Sequence, residues 1–132
     1  MAFILVGCQN NDDLLVGLWE FDGDSTLAEL NQKQNVPKSV LACYTSKSCG
    51  YNTRFTYTST TWSAITDLGY ESFSHGPVKY EVLRSTPNSI EIRTKEGDEI
   101  TTYTATFLDE NTYYLNLKHK EFEWKEYLRR RY

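Results

Sequence analysis

Residues 79–124, KYEVLRSTPNSIEIRTKEGDEITTYTATFLDENTYYLNLKHKEFEW, decide the fold of this 132-residue chain. Apolar and polar side chains alternate through the stretch, as they do in strands that bury one face and expose the other to water. Turn residues interrupt this alternation at 87–88, 96–98, 109–111 and 119–120. The pattern therefore predicts five successive antiparallel strands, the last of which continues to residues 127–129.

Segments upstream of this stretch bring the strand count to about eight. The run LLVGLWEF at 14–21 is rich in strand formers, and two shorter strand-like segments lie between Val40 and Thr60. An open meander of that size leaves unpaired edges, which closure into a barrel removes. We therefore predict one all-β domain over residues 14–132, an up-and-down antiparallel β-barrel of about eight strands.

One short N-terminal helix is expected beside the strands. The turn DGD at 22–24 precedes Ser25–Leu30, where Ser25 or Thr26 would be the N-cap and Glu29 lies near the capping-box position. Residues 40–42 form a short apolar segment that leads into a loop with two cysteines. Residues 63–70 fit either a helical turn or irregular structure.

Composition and charge narrow the possible functions. The net charge of −4 and the pI of about 5.2 argue against nucleic acid, which needs a basic face. After Val6 no apolar run approaches the ~20 residues of a membrane span. Nucleophile-elbow, phosphate-loop and zinc-helix motifs are absent, and His75 and His119 are not at ligand spacing to the cysteines. We expect no catalytic residue, no cofactor and no metal.

The segment Leu5-Val6-Gly7-Cys8 resembles a bacterial lipobox, in which the signal peptide is removed and the cysteine carries a lipid. An apolar run precedes it and the polar residues QNNDD follow it. The resemblance implies that residues 1–13 are a lipobox remnant and polar tether. It also implies that Cys8 is the lipidation site of a bacterial cell-envelope protein facing the periplasm or exterior, with a lipid anchor as its only membrane contact. The alternative is an ordinary N-terminal strand that ends at Gly7.

The cysteine count agrees with lipidation. Among the three cysteines, lipidation of Cys8 leaves the pair Cys43 and Cys49. They lie close together in a stretch with loop composition, and export would permit a disulfide between them. Two reduced thiols in a cytosolic protein are the alternative.

Two further motifs resemble the lipocalin-like calycins. Gly17-Leu18-Trp19 matches the G-x-W signature of that family's first strand, and Tyr127-Leu128-Arg129 is similar to its last strand. The resemblance implies that an arginine, here Arg129, packs over Trp19 and closes one end of the barrel through a cation–π contact. It also implies a barrel that holds one small ligand.

The aromatic content suggests what the interior is for. The chain has ten tyrosines and three tryptophans, and tyrosine suits a wall that is apolar along its ring and polar at its tip. The residues on the apolar face of their strands are Tyr57, Tyr80, Tyr103, Tyr113 and Trp124. They would line a pocket for a small, mainly apolar ligand, or they would form plain barrel core.

A protein-binding module is the alternative function. It would be a periplasmic inhibitor or an envelope assembly factor, with the Cys43–Cys49 loop as its contact surface. That function would favour a filled barrel with Tyr44, Tyr51 and Trp62 exposed around the loop.

Overall fold

The computed structural model describes residues 11–131, so the predicted lipidation site Cys8 lies outside the described residues. A short 3₁₀ helix precedes the first strand and two α-helices separate it from the second. The elements are the 3₁₀ helix Asn11–Leu15, β1 Gly17–Phe21, α1 Gly23–Asn31, α2 Lys38–Thr45, β2 Thr53–Tyr57, β3 Thr61–Asp67, β4 Ser72–Thr86, β5 Ser89–Glu96, β6 Glu99–Asp109, β7 Thr112–His119 and β8 Phe122–Arg131.

The predicted fold class is confirmed. The eight strands pair antiparallel in chain order, and β8 pairs with β1, so that the barrel closes. We call the end that carries α1 and α2 the upper end and the end at the 3₁₀ helix the lower end. Among the described helices none is long and apolar enough to cross a membrane.

The helices differ from the prediction in number and in their caps. Residues 40–42 are not a strand, because α2 begins after Pro37 and buries Val40 and Tyr44, which are four residues apart on one helix face. The missing strand is β3, which includes most of the segment that fitted either a helical turn or irregular structure. In α1 the N-cap is Asp22 rather than Ser25 or Thr26, and its carboxylate accepts a hydrogen bond from the Ser25 N–H at 3.1 Å.

Two hydrophobic cores fill different levels of the molecule. The lower core, inside the barrel, centres on the fully buried Trp19, Ile90 and Ile92, and Leu15 of the 3₁₀ helix packs into it from below. The upper core holds the helices against the barrel, and its buried residues are Phe21, Leu30, Val40, Tyr44 and Trp124. The helices therefore cover part of the upper end.

Helix α1 replaces a strand at the upper edge of β8. Strand β1 pairs with β8 only through Leu128–Arg131. Further up, the backbone N–H of Tyr127 donates to Thr26 Oγ1 at 2.9 Å and that of Lys125 donates to Glu29 Oε2 at 3.0 Å. The two α1 side chains thus accept hydrogen bonds from backbone N–H groups of β8 that have no partner in β1 at this level.

The β6–β7 ladder ends before it reaches the upper end. The β6–β7 ladder consists of the pairs Thr106–Tyr114, Phe107–Tyr113 and Asp109–Thr112. Residues 99–105 of β6 therefore pair only with β5, and residues 115–119 of β7 pair only with β8. The β4–β5 ladder, by contrast, runs from Thr86–Ser89 to Tyr80–Thr94, two residues before the end of β5. The barrel wall is continuous below and divided above.

Candidate functional site

The lower end of the barrel is closed by Arg130, not by the predicted Arg129. The guanidinium of Arg130 lies over the Trp19 ring at 4.3 Å, and its Nη1 and Nη2 donate to the carbonyls of Val16 and Leu14 at 2.9 and 2.8 Å. Gly17 has φ +135°, and a Cβ there would come within 2.6 Å of Arg130 Nη1, so the arginine needs glycine at this position.

Strand parity explains the error. Leu128 points inward, so Arg129 points outward, where its Nε donates to Glu20 Oε1 at 3.0 Å. Arg130 follows on the inward face. The alternation of buried Trp124 and Leu128 would have indicated this from the sequence. The predicted contact between an arginine and Trp19 is therefore present, but Arg130 supplies the guanidinium instead of Arg129.

Four of the predicted site residues come together inside the barrel. Tyr57, Tyr80 and Tyr113 are buried in the lower core, and Tyr103 packs against it. The hydroxyls of Tyr57 and Tyr103 are hydrogen-bonded at 2.9 Å, and Tyr80 donates to the Thr58 carbonyl at 2.5 Å. Burial raises the pKa of the Tyr57, Tyr103 and Tyr113 hydroxyls well above the ordinary value. The cluster therefore stays neutral at physiological pH.

Trp124 points inward as expected but does not join the tyrosines. It lies one level higher in the upper core, stacks on Phe122 with ring centroids 5.8 Å apart, and donates from Nε1 to the Tyr44 hydroxyl at 3.0 Å. The sequence predicted that Trp124 points into the barrel, but it did not predict at what height in the barrel the side chain lies. Trp124 therefore contacts the helical cover rather than the tyrosine cluster.

Between the two cores, several inward-facing side chains keep access to solvent. Phe55, Trp62, Tyr103 and Leu115 lie on four different strands, have the same face as buried core residues, and are only half-buried. We call the inward-facing, partly accessible surface formed by these four residues and Glu126 the upper chamber.

Trp62 brings an unused hydrogen-bond donor to the chamber wall. Its Nε1 is buried and has no partner among the described residues. An unsatisfied buried donor costs about 1–3 kcal/mol, so a native structure rarely keeps one without a reason. The Trp62 ring lies 5.3 Å from that of His75, whose Nε2 is 2.7 Å from Glu96 Oε2. The predictions from sequence included none of these three residues in the interior site.

Glu126 is the second functional candidate that the sequence analysis missed. It lies on β8 between the inward-facing Trp124 and Leu128, and it pairs across the ladder with Leu115. Its Oε2 accepts a hydrogen bond from the Tyr44 hydroxyl at 2.6 Å. Burial raises the pKa of the Glu126 carboxyl, and the hydrogen bond from Tyr44 partly opposes this. The sequence does contain a signal for this residue, because Glu126 is a charged residue at an inward-facing position of a strand whose other inward residues are apolar.

The upper parts of β6 and β7 are not paired with each other, and they lie beside Tyr103 and Leu115 of the chamber. A groove of about 500 Å³ lies along β4 and β5 and is lined by residues 79–81, residues 93–95 and Ile100.

The predicted disulfide is confirmed, and its surroundings differ from those of an aromatic contact surface. Cys43 and Cys49 are bonded, with their Cα atoms 5.1 Å apart. Tyr44 is buried, Trp62 faces the chamber, and Tyr51 packs on Phe21 with ring centroids 5.0 Å apart. Tyr44, Tyr51 and Trp62 therefore do not form the exposed aromatic patch around this loop that would favour the protein-binding alternative.

The sequence matches no protein-family model and no curated protein. Within residues 11–131, no group of three or more His, Cys, Asp or Glu side chains is arranged to hold a metal ion.

Proposed function

We propose that this barrel binds a small, mainly apolar molecule in the upper chamber. The observation that carries the proposal is the half-burial of Phe55, Trp62, Tyr103 and Leu115, which point inward yet remain accessible. Small-molecule sites are typically concave, lined mostly by apolar and aromatic side chains, and provided with few polar groups. The chamber has this composition.

The lower core supports such a site by giving it a rigid floor. Trp19, Tyr113 and Phe107 pack edge-on or tilted against one another, with Trp19 and Tyr113 ring centroids 4.7 Å apart. The neutral Tyr57–Tyr103 hydroxyl pair forms the polar edge of that floor. A ligand would therefore meet a fixed surface below and would reach the chamber from above, through the opening between β6 and β7.

A filling substitution tests the site. The neutral fluorescent probe N-phenyl-1-naphthylamine should bind the wild-type protein and brighten as it leaves water. Leu115→Trp fills the chamber from β7 and should weaken binding at least tenfold, because it takes the probe's volume. Leu108→Trp is the matched control, since Leu108 is 62% exposed on the outside, and it should bind like wild type.

The outcomes separate clearly. Absence of wild-type binding at 100 μM probe, a ceiling of about −5.5 kcal/mol, would contradict ligand binding. Equal binding by both tryptophan variants would place the probe outside the chamber and would also contradict the proposal.

We further propose that the protein is a cell-envelope lipoprotein of the lipocalin-like type. The lipobox-like segment ending at Cys8, the disulfide and the Trp19–Arg130 contact support this. Wild-type protein expressed with its native upstream region should fractionate with membranes, and a Cys8→Ser variant should not. If both remain in the soluble fraction, the lipoprotein proposal is wrong.

A further inference from the structure

Glu126 brings an isolated negative charge to the wall of the upper chamber. Its strand neighbours on the inward face are Trp124 and Leu128, both buried, and its cross-strand partner is Leu115. The carboxylate is close enough to the buried Tyr113 hydroxyl to raise the pKa of that hydroxyl. It therefore lies among apolar and neutral groups rather than in bulk water.

No cation of the described chain neutralises this carboxylate. The ion pairs formed by residues 11–131 do not include Glu126, and Tyr44 is its one hydrogen-bond donor there. The nearest basic residues on the strand are committed elsewhere, since Lys125 lies 4.5 Å from the Tyr114 ring and Arg130 lies over Trp19.

A buried charge without a counter-charge is costly, and a neutral glutamine could accept the Tyr44 hydrogen bond equally well. The tyrosine hydroxyl engages Oε2, and no described residue donates to Oε1. Among the described residues the position thus has a free acceptor atom and an uncompensated charge, on the inward face of β8 and with partial access to solvent. A ligand with a protonated amine would satisfy the two requirements at once.

We propose that the ligand of the upper chamber is a cationic amphiphile, whose ammonium group binds Glu126 and whose apolar tail lies between Leu115, Tyr103 and Phe55. This inference rests on the proposed function and names the class of ligand for the same site. The half-buried apolar side chains on β2, β6 and β7 hold the tail, while Tyr44 fixes the carboxylate from above.

Three probes with the same tail test the inference: dodecylamine, dodecan-1-ol and dodecanoate, each titrated by calorimetry at pH 7.5 below its aggregation concentration. Wild type should bind the amine at least tenfold more tightly than the alcohol and should bind the carboxylate most weakly. Glu126→Gln should bring the amine-to-alcohol affinity ratio close to one. Glu126→Asp, which keeps the charge, should retain part of the preference.

Glu123→Gln is the matched control, because Glu123 is an exposed carboxylate on the outer face of the same strand. It should keep the full amine preference, which excludes attraction to the net negative charge of the protein. As a second measurement, the Glu126 carboxyl followed by carbon NMR should show a lower pKa with the amine bound and little change with the alcohol.

The failures are distinguishable. If wild type binds amine and alcohol equally, or if a folded Glu126→Gln keeps the preference, the amine inference is wrong and ligand binding stands. If no probe binds wild type, both proposals are wrong. If Glu126→Gln does not fold, the wild-type affinity ratio together with the NMR titration decides.

Discussion

The lower and upper halves of this barrel are built from the same eight strands and have opposite properties. In the lower half, Trp19, Ile90 and Ile92 are fully buried, the ladders are continuous, and Arg130 closes the end. In the upper half, β6 leaves β7, side chains of α1 replace a strand beside β8, and inward-facing residues stay accessible. The lower half is therefore a closed, fully packed core, whereas the upper half keeps several inward-facing side chains partly accessible to solvent.

The largest difference should appear when a tryptophan is removed from each half. Trp19 is completely buried and contacts Phe107, Tyr113 and Arg130, so Trp19→Ala should lower the free energy of unfolding by roughly 3–5 kcal/mol. Trp62 is half-buried at the chamber wall with an unpartnered Nε1, so Trp62→Ala should cost less than half as much. Urea unfolding of both variants measures this, and similar losses would show that the two halves are packed alike.

A smaller difference should separate two adjacent arginines. Arg130→Gln removes the cation over Trp19 and hydrogen bonds to buried carbonyls, and it should cost about 2 kcal/mol. Arg129→Gln removes an exposed ion pair with Glu20 and should cost about 0.5 kcal/mol. Thermal unfolding compares them directly. A larger loss for Arg129 would contradict the register of β8 on β1.

The smallest expected effect is a gain rather than a loss in the free energy of unfolding, and it depends on pH. Because burial raises the Glu126 pKa above the ordinary value of 4.5, the folded protein binds this proton more strongly than the unfolded chain. The wild type therefore loses stability as pH rises from 4.5 through the raised pKa. Glu126→Gln removes that loss and should gain about 0.5–2 kcal/mol at pH 7.

At pH 4 the Glu126→Gln gain should vanish, since the carboxyl is protonated in both states. Denaturation at several pH values tests the prediction, with Glu123→Gln as a control that should show no such dependence. A destabilised Glu126→Gln at pH 7 would mean that the charge contributes to folding rather than to binding.

The local alternation of apolar and polar residues was sufficient to predict the barrel and part of its interior. The alternation of Ile90, Ile92, Tyr103, Ala105 and Phe107 with polar residues depends only on the two-residue period of a strand, which the chain carries in its order. The same rule brought Tyr57, Tyr80, Tyr103 and Tyr113 to one face. The Cys43–Cys49 disulfide could also be predicted from the sequence, because the two residues are six positions apart.

Other features depended on which distant segments meet. The inward parity of Arg130 was present in the strand pattern, but the position of Arg130 opposite Trp19 depends on the pairing of β8 with β1, which lies more than a hundred residues away in the chain. The helical state of α2 depends on the burial of Val40 and Tyr44 against the upper core. Tertiary packing can override weak local preference, so short segments such as 40–42 are ambiguous in isolation.

The sequence by itself determined the strands other than β3, their faces and the closed order of the barrel, because those follow from a period of two and from short turns. Only the tertiary structure decided where the ladders end, that α1 covers the edge of β8, and that Glu126 and Trp62 reach one interior space. These outcomes depend on the level at which each inward side chain lies relative to seven other strands. A strand's own sequence specifies its face but not its height in the barrel.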